Sequence, residues 1–372
     1  MDFSPDDHQH MIRDAVRAWA DGHVRPFAAA WDVAGEVPPE ALRGIADVGL
    51  LGMAVPEAHG GLGLDALAVV AALTELATAD AGLAQLVVSH GLCLSHLQAA
   101  ATVQQVAGYM PRLASGQHLG TWAHGEDEAN LDADKVTTRA VRDGDGWRLH
   151  GFKPMVLLAN RAHVAVVTAL DDTGALAAFV VRLDTSGVGR EAVPGLLGLR
   201  TAGAAHLRLE GVLVEARLDG DTAATGAQVQ DAARLGTAAV ALGVGRAALK
   251  QAAVYSRQRE QFGKAIATFQ PIQWLVANST VDLEVAGHLV QRAAWLATHG
   301  KPARQAIAMA KLSATEAAYR VADRALQLHG AYGYTTEFPV EKALRDATVL
   351  QLLHGTPALQ RIRIARGLLA RA

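Results

Sequence analysis

The stretch LQLLHGTPALQ, residues 350–360, places one histidine, His354, between two apolar runs of helical period. Gly355 and Pro357 follow it at once, and that pair ends a helix, so His354 sits at a break between two helices. An imidazole with an ordinary pKa of about 6.5 is a competent general base near neutrality. His90, Cys93 and His96 look metal-like, but steps of three turn each side chain by about 300° on a helix and spread the set around its axis. Gly243-Val-Gly245 lacks a preceding strand, and Ala248 takes the third glycine position of a dinucleotide loop, so close helix packing is the simpler reading. His8 and His10 lie in a polar terminus, and RIRIAR, 361–366, reads as a solvated helix stripe. The sequence contains no Gly-x-Ser-x-Gly elbow and no HExxH.

The elements that must position these residues fall into three zones. Residues 1–115 are rich in Ala and Leu at spacings of three and four, as in AVVAALTELATADAGLAQLVV. Residues 116–225 change to short β-branched runs bounded by Asp-Gly, Asp-Thr-Gly and Glu-Gly turns, which predicts an antiparallel β domain. Residues 226–372 return to helical texture. The expected fold class is α+β: an N-terminal helical domain, a central antiparallel β-barrel domain and a C-terminal helical bundle.

At 372 residues, 51% hydrophobic and 19% charged, the chain reads as globular and multidomain. A net charge of -3 with no Lys/Arg block argues against nucleic acid as a partner. One cysteine, Cys93, excludes an internal disulfide and any CxxC site. The acidic N-terminus does not resemble a secretory signal, and Leu235–Gly245 falls far short of the roughly 20 apolar residues of a membrane span. The expectation is a cytoplasmic protein with no metal.

Two long stretches carry more information: YSRQREQFGKAIATFQPIQ, 255–273, and ALQLHGAYGYTTEFPVEKALRDATVLQLLHGTPALQRIRIAR, 325–366. Together with VPEAHGGLGLD, 55–65, and GLRTAGAAHLRLEGVLV, 198–214, they closely resemble the acyl-CoA dehydrogenase family. That resemblance implies FAD bound between subunits, an acyl-CoA or acyl-carrier thioester as substrate, and electron-transfer flavoprotein as acceptor. It implies that an acyl α-carbon loses a proton to a base while the β-carbon passes hydride to the flavin. Arg259 would pair with the FAD pyrophosphate, for which a guanidinium fork is suited. Phe262, Gln270, Gln327, Gly330 and Thr356 would complete the cofactor pocket, and Arg234 would lie at the substrate.

The chain departs from the family pattern at the base. Most members carry glutamate directly before this Gly-Thr; here it is His354, and the position used by a related subgroup is Ala233. The segment GEDEANLD, 125–132, leaves Gly125 and Leu131 where hydroxyls are usual, and Met155, Val156 and Leu157 replace an aromatic-Ile-Thr wall beside the flavin. The half that reaches across to a neighbour's FAD is kept and the half that receives FAD is eroded. That pattern favours an FAD-clasping subunit of a heteromeric enzyme, in a heterotetramer with a Glu-bearing homologue. The alternatives are a homo-oligomeric dehydrogenase using His354, and other flavin chemistry such as oxygenation or oxidation of a carrier-bound acyl group.

Overall fold

The computed structural model describes residues 7–126 and 136–369. Six helices come first: α1 (Asp7–His23), α2 (Ala28–Ala34), α3 (Pro39–Asp47), α4 (Ala66–Ala77), α5 (Ala81–Ala100) and α6 (Val103–Ala114). The starts of α4, α5 and α6 are set by side chains that satisfy the first free N–H groups. Asp65 accepts from Ala68 N and Asp80 from Leu83 N, and Thr102 with Gln105 forms a reciprocal capping box.

Eight strands follow: β1 (Gly120–Ala123), β2 (Arg139–Asp143), β3 (Gly146–Val156), β4 (Val164–Leu170), β5 (Leu176–Arg182), β6 (Val188–Ala192), β7 (Ala205–Leu213) and β8 (Ala216–Arg217). The sheet order is β6-β7-β3-β2-β4-β5-β8, with β1 also on β4. The expected antiparallel pairing holds through β2–β3, β3–β7, β6–β7, β4–β5 and β5–β8. The exceptions are β1, parallel to β4, and a single parallel bridge from β2 to β4. A chain that enters the sheet from a helix is not tied to a neighbour by a tight turn, so its strand is free to take either direction.

The C-terminal zone holds α7 (Thr222–Gln258), a small hairpin of β9 (Glu260–Gln261) and β10 (Lys264–Ala265), then α8 (Gln270–Thr298), α9 (Arg304–His329), α10 (Val340–Leu352) and α11 (Pro357–Leu369). Gly243 and Gly245 both lie inside α7, as helix packing requires. A Cβ at Gly243 would stand 2.3 Å from the Thr74 carbonyl oxygen, and one at Gly245 would stand 2.5 Å from Leu283. Only glycine lets α4 and α8 approach α7 that closely. Among the described residues no helix is long and apolar enough to cross a membrane.

Buried ions tie the three zones together. Lys342 on α10 bridges Asp80, the cap of α5, at 3.0 Å and Asp346 at 2.7 Å. Asp346 also accepts from Leu199 N at 2.6 Å, and Thr201 donates to Asp80. Arg345 adds Asp32 on α2 and Glu341, each at 2.7 Å.

Candidate active site

The break between α10 and α11 is a left-handed turn, with φ of 53° at His354 and 100° at Gly355. For a residue with a Cβ this conformation costs about 1–3 kcal/mol and persists only where its surroundings hold it. Here the backbone carbonyls are clasped. His354 O accepts from Arg234 Nε at 3.2 Å and from Gln360 Nε2 at 3.4 Å. Gly355 O accepts from Lys311 Nζ at 2.6 Å and from Gln360 at 3.0 Å, and Lys311 also reaches Gln351 O at 2.8 Å. Thr356 Oγ1 accepts from Leu359 N at 3.4 Å and so starts α11. The imidazole of His354 is half-buried.

Both cations behind this turn are buried: Lys311 is 0% and Arg234 1% exposed. Arg234 spends further donors on Asp231 at 2.8 Å and Gln230 at 2.7 Å, both one turn back on its own helix. Lys311 is absent from the sequence reading. Its signal is nonetheless there, because it occupies the apolar stripe of α9 with Ile307, Ala314 and Ala318 at helical spacing.

Met155 and Leu157 stand at the end of β3. Met155 is 42% exposed with φ of 52°, and its N–H donates to His206 Nδ1 at 3.3 Å; the Leu157 carbonyl accepts from Thr121 Oγ1. Gly125 follows β1, and Leu131 lies outside the described residues. Beneath this corner is a pair that sequence reasoning missed. Lys153, 0% exposed, donates to Glu126 at 2.5 Å and to His124 O at 3.2 Å. Glu126 also accepts from Thr137 and from Thr138 N, which fastens the end of β1 to the approach to β2. Burial pushes the Lys153 ammonium down to about 8 against the pull of Glu126. The Glu126 carboxylate is held down at about 2, because Lys153 and the threonine donors outweigh its desolvation. The sequence signal is a lysine at an inward position of β3, in phase with Trp147 and Leu149.

The Arg-x-x-Phe-Gly element forms the β9–β10 hairpin, which stands clear of the core. Arg259 is exposed and has no ion-pair partner among the described residues; Phe262, at φ of 52°, is 93% exposed. Lys264 lies 4.6 Å from the Phe269 ring centroid, and Gln270 opens α8 beside it. Gln327 and Gly330 are exposed at the end of α9, where Gly330 takes φ of 59°. Behind them Tyr255 stacks on His329 at 4.2 Å, with Phe338 edge-on to Tyr255. The structure therefore brings His354, Arg234 and Thr356 together, sets Arg259, Phe262 and Gln270 in a second group, and puts Gln327 and Gly330 at the end of another helix. Five described non-glycine residues have left-handed φ, and Met155, Phe262 and His354 are three of them. Such strain gathers where function fixes a backbone.

The chain matches three family models in order: acyl-CoA dehydrogenase N-terminal domain over residues 6–117, middle domain over 121–212 and C-terminal domain over 226–369. A probable acyl-CoA dehydrogenase of Bacillus subtilis, YngJ, is 34% identical, over 99% of this chain and 100% of that protein. Butyryl-CoA dehydrogenase from Megasphaera elsdenii superposes with a TM-score of 0.95 at 30% identity, covering 99% of this chain and 100% of its own. A glutaryl-CoA dehydrogenase from Mycobacterium smegmatis in complex with FADH2 superposes at 0.94 with 26% identity, covering 98% and 95%. The chain belongs to the acyl-CoA dehydrogenase family of oxidoreductases.

Proposed function

We propose that this protein is an FAD-dependent oxidoreductase that removes hydrogen across the α and β carbons of an acyl thioester, with His354 as the base. The observation that carries the reading is the clasped turn. A left-handed His354 whose carbonyl and whose neighbour's carbonyl are gripped by two buried cations is a costly arrangement, and it fixes where one imidazole stands. In its neutral form that imidazole takes the α-proton.

The residues present fit FAD. Arg259 offers an exposed guanidinium without a carboxylate partner among the described residues, suited to a pyrophosphate, and Phe262 offers an uncovered ring beside it. Gln270, Gln327 and Gly330 would complete the hold from a second subunit, and Thr356, Met155 and Leu157 from this one. Bound FAD supplies the acceptor for the β-hydrogen, and an electron-transfer flavoprotein would reoxidise it.

A second reading, the FAD-clasping subunit of a heteromeric enzyme, draws support from the same exposed hairpin set against the apolar Met155–Leu157 wall. One experiment separates them: FAD content and acyl-CoA turnover of the protein alone and co-expressed with a Glu-bearing homologue. With His354 as base, the lone protein turns over, His354→Ala costs about 10²- to 10⁴-fold, and His354→Glu keeps activity. A lone protein without flavin or turnover, in a complex indifferent to His354→Ala, would reject the first reading for the second.

A further inference from the structure

Three polar atoms in the packed seam between α5 and α7 have no hydrogen-bond partner among the described residues: Oε1 and Nε2 of Gln85 and Oγ1 of Thr237. Both side chains are 0% exposed. The two helices run antiparallel. A Cβ at Gly220, just ahead of α7, would stand 2.7 Å from Ala100 at the end of α5, and one at Gly236 would stand 3.0 Å from Val88. Gln85 is one turn of α5 from Val88, and Thr237 adjoins Gly236. Thr237 is also one turn from Arg234, on the same side of α7, and Arg234 Nε holds the His354 carbonyl. Thr237 thus stands one turn of α7 from the residue that holds the His354 turn, and Gln85 stands one turn of α5 from the residue packed on Gly236.

Neither is explained by its own helix. A buried hydroxyl on a helix ordinarily bonds back to the carbonyl four residues earlier. Ser89 and Thr315 do so, to Gln85 and Lys311 respectively. Thr237 does not, and Gln85 satisfies neither half of its amide. Native interiors rarely keep such groups unless something polar is brought to them.

We infer that Gln85 and Thr237 form a hydrogen-bonding subsite at the inner end of the acyl site, selecting an acyl group that carries a neutral polar substituent such as a hydroxyl or an amide. The inference rests on the acyl-thioester reading above. The subsite offers both donors and acceptors, and the nearby Arg234 already bonds to Asp231, so a neutral group is matched where a carboxylate would be stranded without a counter-charge.

The test is calorimetric titration of the FAD-loaded protein with butyryl-, pentanoyl- and hexanoyl-CoA and with their ω-hydroxy counterparts. The expected result is that at least one hydroxyacyl-CoA binds about tenfold or more tighter than its own parent, since a site built to hydrogen-bond rejects the analogue lacking the group. Gln85→Leu and Thr237→Val, each close in volume to the original, should bring that ratio to one or below and raise the melting temperature by removing unpaired polar atoms. Parents that bind as well as every hydroxylated partner would overturn the subsite, as would a preference that survives both variants. Failure of all six thioesters to bind would instead overturn the acyl-thioester reading, and the subsite with it.

Discussion

Arg259 presents its guanidinium to solvent at the root of a hairpin that buries almost nothing, so folding alone gives it no work. If it holds a pyrophosphate, Arg259→Ala removes a charge-assisted contact worth about 1.5–3 kcal/mol and weakens FAD binding by roughly ten- to a hundredfold. Flavin fluorescence on titration with FAD measures the loss. Arg259→Lys should recover only part of it, because a point charge replaces a bidentate fork. FAD binding unchanged in the alanine variant would exclude the role, and folding should be unaffected in both.

The pair of Lys153 and Glu126 acts on elements, fastening the end of β1 to the approach to β2 next to Met155. Glu126→Gln leaves a buried ammonium without its counter-charge and should destabilise by about 3–5 kcal/mol at neutral pH. The acid limb has a definite sign. Glu126 is held at about 2 against an ordinary 4.5, so its contribution is complete above about 4.5 and is lost as pH falls toward 2. Denaturant midpoints across that window should fall for the parent protein and flatten in Glu126→Gln; parallel curves would contradict the pairing. This pair also marks where sequence reading stops. Period and punctuation give the helices, the strands and the break at His354, because those depend on neighbours in the chain. Helix and strand periods also hold a signal that Lys153 and Lys311 point inward, one that no motif flags. They do not give a partner, since Glu126 is 27 residues from Lys153 and Gly355 is 44 from Lys311. The parallel β1–β4 pairing was illegible for the same reason: no turn joins the two strands.

At the scale of the molecule the three zones meet at Lys342, which stands between Asp80 and Asp346 in the interior. Burial raises the Asp346 pKa even with Lys342 beside it, a sign of how little solvent reaches the cluster. Lys342→Met would strand two carboxylates and should cost about 3–5 kcal/mol, read as a lowered midpoint of denaturation common to the whole chain. A second surface points outward. Trp274, Val281 and Val285 are all more than half exposed along α8 at spacings of seven and four, one stripe of the helix, and α8 begins beside the uncovered Phe262. Apolar surface of this kind on a folded chain marks an interface. The protein should therefore sediment as a dimer or larger. Added FAD should raise its melting temperature by mass action, by about 2.7 kcal/mol of stability at a hundredfold excess over Kd. Val281→Asp should shift the assembly toward monomer and weaken FAD retention together, because a cofactor held across two subunits loses its grip when they part. Arg259→Ala should weaken FAD retention while leaving the subunits associated. A stable monomer indifferent to FAD, or a Val281→Asp monomer that keeps its flavin, would show that each chain holds the cofactor alone.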